Sequence, residues 1–182
     1  MAFPAFLDAN VLVPIHLTDL LLRLAEAETY RPLWSEQVLE EVERNLPEVG
    51  VRPDRARHRT TVMRTEFPDA LVTDYEALTG AMTNDPGDRH VLAAAVRAGA
   101  EIVVTANTRH FPASACDPYD IGVKTPDEFL LDQFDLYPEQ TVRCLRALIA
   151  GLRRPPTTTE QFLARFTKTV PRFVEEIARS CR

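Results

Sequence analysis

The clearest structural signal lies in residues 84–112, which read NDPGDRHVLAAAVRAGAEIVVTANTRHFP. Asp88–Ala98 predicts a helix, and Gly99 stands where a helix commonly ends in a left-handed residue. Glu101–Thr105 is rich in β-branched residues and predicts a strand. A helix that leads directly into a strand is half of a βαβ unit, so this stretch predicts a parallel sheet.

The same alternation of strands and helices extends over most of the chain. Apolar runs predict further strands at Phe3–Leu7, Ala70–Thr73 and Ile121–Val123. Helical spacing and capping residues predict helices at Val11–Glu28, Ser35–Asn45, Pro53–Glu66, Thr125–Gln133, Pro138–Ala150, Glu160–Thr167 and Pro171–Ser180. Together these elements predict an α/β fold, a three-layer α/β/α sandwich around a parallel sheet, with a helical extension at the C-terminus.

Composition fits one globular domain, alone or with an appendage. The chain has 182 residues, 45% hydrophobic and 26% charged, which excludes disordered and low-complexity architectures. Its three cysteines, Cys116, Cys144 and Cys181, are scattered, which excludes a disulfide framework and a clustered zinc site. The N-terminus has no basic targeting segment, and polar residues interrupt its apolar run. We therefore expect a cytoplasmic protein without a membrane segment.

Charge is distributed unevenly along the chain. The formal net charge is −6, but residues 143–182 carry nine Arg or Lys against three Glu. Residues 1–142 carry 12 basic and 24 acidic residues. A second basic stretch, residues 52–64, holds five arginines and His58. Arginine suits phosphate because its planar fork offers paired donors, although a solvated helix face would also explain the stretch.

Polar residues stand where two of the predicted strands end. Asp8 ends the first strand, and Thr105 and Asn107 end the strand of the opening stretch. Asp85 and Asp88 begin the helix that leads into that second strand. Because ligands in open α/β sheets bind at the carboxyl ends of the strands, we expect these side chains to lie close together. Taken alone, each has an ordinary alternative role, such as capping of the helix by Asp85.

Glu41 is a further candidate, on the helix that Ser35 caps. On a helical wheel, Val38, Leu39 and Val42 cover the buried face, and Glu41 lies at one border of it. Glu43 lies at the other border. The wheel therefore leaves both glutamates open, and a surface position is the ordinary alternative for either.

A cluster of carboxylates at one sheet edge predicts a metal. The carboxylates repel each other and raise one another's pKa, and a hard divalent cation would neutralise them. Oxygen donors without cysteine or clustered histidine favour Mg²⁺ or Mn²⁺ over zinc, and we interpret His90 and His110 as ordinary histidines. Mg²⁺ retains water and pairs with substrate phosphate, so the pattern indicates phosphoryl chemistry.

Three stretches resemble the PIN domains of VapC-type ribonuclease toxins. They are Phe6–Leu12 (FLDANVL), Ser35–Leu46 (SEQVLEEVERNL) and residues 84–112, and their order and spacing make the resemblance fairly specific. It covers roughly residues 3–134. The resemblance implies a PIN-like nuclease domain over residues 1–134, followed by a basic helical C-terminal extension over residues 135–182.

The resemblance also implies a metal site and an activity. Asp8, Glu41 and Asp88 match the family's acidic positions and would bind Mg²⁺ or Mn²⁺, with Asp85 as a further ligand or a support for bound water. Asn107 stands where many members carry a fourth Asp, which removes one negative charge and makes a second cation harder to hold. The implied activity is endonucleolytic hydrolysis of RNA.

Further residues are assigned to substrate and partners. Asn10, Thr105 and Arg89 would position the scissile phosphate, or, for Asn10 and Thr105, the side chain of Asp8. The implied partners are an RNA substrate, a cognate antitoxin and a second copy of the chain in a homodimer. RNA or antitoxin contacts are expected at Arg52, Arg55, Arg59, Arg153 and Arg154.

Two alternatives stay open at this point. A haloacid-dehalogenase-like phosphatase also begins with a strand and an Asp, but it requires a second Asp where this chain has Asn10. It also requires a lysine before its last acidic motif, whereas the lysines here, Lys124 and Lys168, follow that position. The other alternative is a catalytically weak or silent PIN domain that acts as a binding module, which Asn107 makes plausible.

Overall fold

A five-stranded parallel sheet forms the centre of the protein. The computed structural model describes residues 2–153 and 155–180. The strands are β1 (Pro4–Leu7), β2 (Arg31–Ser35), β3 (Leu71–Val72), β4 (Ile102–Val104) and β5 (Gly122–Lys124). Their spatial order is β3-β2-β1-β4-β5, and every neighbouring pair is parallel. The predicted α/β/α sandwich with a parallel sheet and C-terminal helices is confirmed.

Helices surround this sheet. They are α1 (Ala9–Leu12), α2 (Ile15–Glu26), α3 (Glu36–Asn45), α4 (Pro53–Glu66), α5 (Glu76–Thr79), α6 (Arg89–Arg97), α7 (Ala113–Cys116), α8 (Pro126–Leu136), α9 (Pro138–Gly151), α10 (Thr159–Phe166) and α11 (Pro171–Ser180). A short 3-10 turn at Pro86–Asp88 precedes α6, and another at Thr108–His110 follows β4. Phe6 and Val103 are fully buried because their strands are covered on both faces.

The sequence analysis missed strand β2. This strand begins at the exposed residue Arg31 and contains Pro32, which cannot donate a hydrogen bond to a neighbouring strand. The sheet tolerates Pro32 because the two-residue strand β3 pairs only with Trp34 and Ser35, which leaves no strand beside Pro32 on that side. Trp34 is nevertheless fully buried, so the strand is a core element.

Other element boundaries were also corrected by the structure. The helix predicted at Val11–Glu28 is two helices, α1 and α2, because Pro14 lies between them and has no N–H with which to continue the first. Strand β3 is shorter than the predicted Ala70–Thr73, and β5 lies one residue later than the predicted Ile121–Val123.

Strand order reverses between β1 and β4. From β1 the chain proceeds to β2 and β3 on one side, and then crosses over to β4 and β5 on the other. In open α/β sheets the crevice at such a reversal, outside the carboxyl ends of the strands, is where ligands bind. Asp8 directly follows β1, and Thr105 directly follows β4, so both stand at this crevice.

The C-terminal helices pack on the rest of the protein. Helix α9 contacts α2, and α11 contacts α8. The Asp127 carboxylate accepts hydrogen bonds from the backbone N–H groups of Arg172 and Phe173 at 3.1 and 2.9 Å, and so caps the start of α11. The rings of His16 in α2 and Phe162 in α10 meet edge to face, with centroids 5.2 Å apart.

Candidate active site

Asp8 forms the centre of the site. It is 3% exposed and caps α1, because its Oδ1 accepts a hydrogen bond from the backbone N–H of Ala9 at 2.7 Å. Its own backbone N–H donates to the carbonyl of Val104 at 3.1 Å, which ties the end of β1 to the end of β4. The carboxylate is therefore held by both strands that flank the crevice.

Asn10 and Thr105 fix the other oxygen of Asp8. Asn10 Nδ2 and the Thr105 hydroxyl both donate to Asp8 Oδ2, each at 2.7 Å. Asn10 Nδ2 also lies 3.1 Å from the Thr105 hydroxyl, and Asn10 Oδ1 accepts from the backbone N–H of Ala106 at 2.9 Å. These contacts orient the Asp8 carboxylate, and contact of Asn10 or Thr105 with the scissile phosphate stays a prediction.

The environment of Asp8 opposes its negative charge. Burial raises the pKa of the Asp8 carboxyl above its ordinary value, and the hydrogen bond from Thr105 lowers it in part. The negative charges of Asp88 and Glu41 raise this pKa further. These two carboxylates are therefore close enough to act on Asp8 electrostatically.

Glu41 and Glu43 point to different neighbours. Glu41 Oε1 lies 3.0 Å from Nε2 of His90, although the ring N–H is not aligned for a hydrogen bond. Glu43 instead accepts a hydrogen bond from the Thr60 hydroxyl of α4 and lies 3.5 Å from Nη1 of Arg64. Glu41 therefore faces α6 and the crevice, whereas Glu43 joins α3 to α4.

A second acidic group lies around the start of α6. Asp85, Asp88 and His110 have ligand atoms that all lie within 4.8 Å of one another. His110 Nδ1 is 2.6 Å from Asp88 Oδ2, and Asp85 Oδ1 accepts from the backbone N–H of Gly87 at 3.0 Å. Asp85 thus caps the turn that precedes α6. Asp8, Glu41 and Asp88 do not form an equally tight group.

Two other candidates stand at the rim. Asn107 is exposed, and its backbone N–H donates to the Thr105 hydroxyl at 3.1 Å. Arg89 is half-buried, and its Nε lies 3.4 Å from the carbonyl of Asn84. The Asn84 amide in turn donates to the carbonyl of Asp88 at 3.0 Å. Arg89 and Asn84 therefore support the turn that leads into α6.

Two described protein families match parts of the chain. Residues 4–109 match the family described as the PIN domain, and residues 126–179 match the family described as the VapC50 C-terminal domain. The chain belongs to the PIN-domain family, in its VapC branch. It is 43% identical over 119 residues to a curated protein of Mycobacterium tuberculosis named "Putative ribonuclease VapC50", an alignment that covers 63% of this chain and 70% of the relative. No solved structure matches the chain significantly.

The arginines predicted to contact RNA or an antitoxin differ in how exposed their side chains are in this PIN-domain protein. Arg52 and Arg55 are exposed, and Arg52 forms a two-point ion pair with Asp54, at 3.1 and 3.2 Å. Arg59 is turned inward: its Nη1 donates to the carbonyl of Val13 at 3.0 Å, and its Nη2 is buried. Arg153 is exposed, and Arg154 lies outside the described residues. RNA or antitoxin contact at these arginines stays a prediction.

Two histidines of the PIN domain have roles that the sequence analysis did not assign. His90 is 5% exposed against Glu41, and His110 holds Asp88. Both were interpreted as ordinary histidines, since a lone histidine carries little sequence signal. The signal that was available is position, because His90 shares the first turn of α6 with Asp88, and His110 follows β4 closely.

The donor set fits a hard divalent cation. Asp85, Asp88 and His110 offer ligand atoms within 4.8 Å of one another. The carboxylates of Asp8 and Glu41 add negative charge, since both Glu41 and Asp88 act on Asp8. Such oxygen-rich sets suit Mg²⁺ and Mn²⁺. The raised pKa of Asp8 points the same way, since a cation would offset the repulsion that raises it.

Among the described residues, no helix combines the length and hydrophobicity that a bilayer crossing requires.

Proposed function

We propose that this PIN-domain protein is a Mg²⁺- or Mn²⁺-dependent endoribonuclease and the toxin of a toxin–antitoxin pair. The observation that carries the proposal is the buried carboxylate of Asp8 at the strand reversal, with its pKa raised by burial, Asp88 and Glu41. The relative named a ribonuclease supports the same reaction class. Membership in the PIN family removes the haloacid-dehalogenase alternative.

In this proposal, Asp8, Glu41 and Asp88 would hold the cation directly or through water, and Asp85 and Asn107 would orient the water beside it. A bound divalent cation would lower the pKa of a water and polarise the phosphoryl oxygens of the substrate. Water attacks phosphorus in line, and the 3′ oxygen leaves, giving 5′-phosphate and 3′-hydroxyl ends.

The protein's own residues then supply orientation. Thr105 and Asn10 fix the direction of the Asp8 carboxylate through Oδ2, and the backbone of Ala9 fixes Oδ1. His110 fixes Asp88 through one hydrogen bond. Carboxylates whose rotamers are fixed in advance need no reorganisation when charge develops at the phosphate. Such preorganised positioning and electrostatic stabilisation account for most of the rate enhancement in phosphoryl transfer. Arg89 stands beside the site as a candidate to position substrate.

The experiment compares RNA cleavage by the wild type and by Asp8→Asn, with Mg²⁺ and Mn²⁺ titrated and EDTA as the metal-free reference. We expect metal-dependent cleavage by the wild type and none above background by Asp8→Asn. Asp69→Asn is the matched control, because Asp69 is exposed and lies just before the amino end of β3. Metal-dependent cleavage retained by Asp8→Asn would refute the assignment.

A catalytically weak or silent PIN domain is the second candidate, and Asn107 favours it. In place of a fourth carboxylate, the rim carries an exposed amide without a charge. Cleavage by the wild type separates the two functions, and Asn107→Asp tests the effect of the missing carboxylate. If the protein is a one-metal nuclease, the wild type cleaves RNA and the substitution changes the rate. If the wild type binds RNA without cleaving it at any metal concentration, the binding-module function is supported instead.

The proposal extends to partners and organisation. We propose a nuclease domain over residues 1–134, a basic extension over residues 135–182, a cognate antitoxin and a homodimer. Coexpression with the product of a neighbouring short reading frame that encodes a DNA-binding protein should relieve growth inhibition by the wild-type chain. Growth inhibition that persists with every such neighbour would argue against a toxin–antitoxin pair.

A further inference from the structure

A cationic cavity lies between the PIN core and the C-terminal extension. It has a volume of about 480 Å³ and is lined by His16 of α2, Arg153 and Thr157 of the connection between α9 and α10, and Phe162 and Arg165 of α10. None of the described residues that line it carries a carboxylate. Arg153 and Arg165 are exposed and form no ion pair with the described residues. The cavity therefore presents two unneutralised guanidinium groups to solvent.

The walls of the cavity are held in place. Phe162 is 1% exposed and packs edge to face against the ring of His16, which joins α10 to α2. The connection is closed by backbone pairing between Arg153 and Pro156, and a further backbone bond joins Arg153 N–H to the carbonyl of Gly151 at 3.0 Å. The Phe162 ring and the backbone at Arg153 are therefore fixed before a ligand binds, which reduces the conformational entropy lost on binding.

The start of α2 adds positive potential. His16 stands in the first turn of this 12-residue helix, and the residue before the helix, Pro14, provides no side-chain cap. The first N–H groups of a helix lack partners within the helix and carry a partial positive charge, which favours anions. The start of α2, which reaches the cavity through His16, thus favours an anion there, besides the two arginines.

The cavity lies near the crevice of the proposed nuclease site. His16 follows Asp8 by eight residues, and α1 fills half of that connection. Eight residues span at most roughly 28 Å even when fully extended, and a helical segment shortens the span. A single RNA strand bound at Asp8 needs only a few nucleotides to span that distance to the cavity lined by His16.

We propose that this cavity binds a backbone phosphate of the single-stranded RNA substrate, a few nucleotides from the bond that is cut. The proposal rests on the proposed nuclease function. The acidic body repels RNA, since residues 1–142 carry twice as many acidic as basic residues, so the attraction must come from basic surfaces such as this one. A guanidinium group matches phosphate in geometry as well as in charge, and the cavity offers two.

The test measures binding of a short single-stranded RNA to Asp8→Asn protein, which removes cleavage from the measurement. In that background, Arg153→Gln with Arg165→Gln should weaken binding roughly tenfold or more and reduce the salt slope of log K by about 1 to 2. Arg31→Gln is the matched control, because Arg31 is exposed at the amino end of β2, the opposite edge of the sheet. Affinity and salt slope equal to those of the control would overturn the proposal.

Two further measurements control for misfolding and distinguish RNA from an acidic protein as the ligand. Arg153→Lys with Arg165→Lys should restore part of the affinity at an unchanged Tm, because the charge is kept while the fork is lost. Oligoglutamate serves as a probe for an acidic protein segment. If the Gln double variant loses oligoglutamate binding but keeps RNA binding, the cavity receives an acidic protein and the proposal is overturned.

Cleavage assays separate this inference from the nuclease proposal. With otherwise wild-type protein, the Gln double variant should lower kcat/KM on a long RNA and leave kcat/KM on a dinucleotide within about twofold, because a dinucleotide does not reach the cavity. An equal loss on both substrates would overturn the phosphate-binding role. If wild-type protein cleaves neither substrate, the nuclease proposal fails, while the RNA-binding comparison still decides whether the cavity binds phosphate.

Discussion

The hydroxyl of Thr105 donates a hydrogen bond to Asp8 Oδ2 at 2.7 Å, across a separation of 97 residues in the sequence. The same hydroxyl oxygen lies 3.1 Å from both Asn10 Nδ2 and the backbone N–H of Asn107. Its one donor and its two acceptor positions are therefore all used. This hydroxyl connects the ends of β1 and β4 at the strand reversal and orients the carboxylate on which the proposed chemistry depends.

Thr105→Val should lower the rate of RNA cleavage by roughly 10- to 100-fold, because a hydrogen bond to a charged group contributes about 1.5–3 kcal/mol. It should also move the acidic limb of the pH–rate profile to higher pH, since the Thr105 hydrogen bond lowers the pKa of Asp8. Thr105→Ser keeps the hydroxyl and should retain most of the activity. Equal activity of the Val and Ser variants would contradict the role given to the hydroxyl.

Asp8→Asn should change the pH dependence of stability in metal-free buffer. The pKa of Asp8 is raised in the folded protein above its ordinary value near 3.8. Both folded and unfolded chains hold the proton below that value, and the folded chain becomes relatively less stable as pH rises through the higher folded pKa. The Tm of Asp8→Asn minus that of the wild type should therefore increase from about pH 4 to neutrality.

Thermal unfolding in EDTA across this pH range provides the measurement, and each kcal/mol corresponds to about 2–4 °C in Tm for a chain of this size. Mg²⁺ should raise the Tm of the wild type and leave that of Asp8→Asn nearly unchanged, because ligand binding stabilises only a protein that binds. A difference in Tm that stays constant over the whole pH range would contradict the raised pKa.

Glu41→Gln should affect mainly activity and Glu43→Gln mainly stability, although the two residues lie on one helix. Glu43→Gln weakens the contacts with Thr60 and Arg64, so we expect a Tm lower by about 2–4 °C, with cleavage unchanged within about twofold. Glu41→Gln should reduce cleavage by roughly 100-fold or more while Tm falls little, since a charge that would hold the proposed cation is lost. A loss of activity that follows Glu43 instead would move the site to the other border of α3.

His110→Ala should weaken the binding of Mn²⁺ by roughly tenfold, as is typical when the partner of a ligating carboxylate is removed. The cause is the loss of the hydrogen bond that fixes Asp88 Oδ2. Calorimetric titration of metal-free protein with Mn²⁺ provides the comparison. His58→Ala is the control, because His58 is exposed on α4. An affinity equal to that of the control would show that Asp88 needs no such support.

The parallel sheet was predictable where sequence patterns are local. Residues 84–112 combine a helix, a glycine stop and a β-branched strand, and α6 and β4 lie where this pattern predicted them. Strand β2 was not predictable in the same way, because Pro32 argues against an inner strand. The sheet accepts Pro32 in β2 only because β3 is too short to pair with it, and the length of β3 is known only from the assembled sheet.

Within the site, the placement of Asp8 and Thr105 at one edge follows from strand polarity alone. The choice between Glu41 and Glu43 required α4, since Thr60 and Arg64 engage Glu43. The pairing of Asp88 with His110 spans 22 residues and depends on the turn after β4. Contacts of this kind join elements that are distant along the chain, and no periodicity in the sequence reports them.

The cap that Asp127 provides for α11 has a consequence for any attempt to shorten the protein. The carboxylate on α8 holds the backbone of a helix 45 residues later, so the last helix is anchored inside the region that the sequence assigned to the nuclease. A chain cut near residue 134 would strip cover from the apolar surfaces of α2 and α8 and expose them to water. We expect such a fragment to aggregate during purification. A shortened version of the protein should therefore lose loop residues and keep the C-terminal extension.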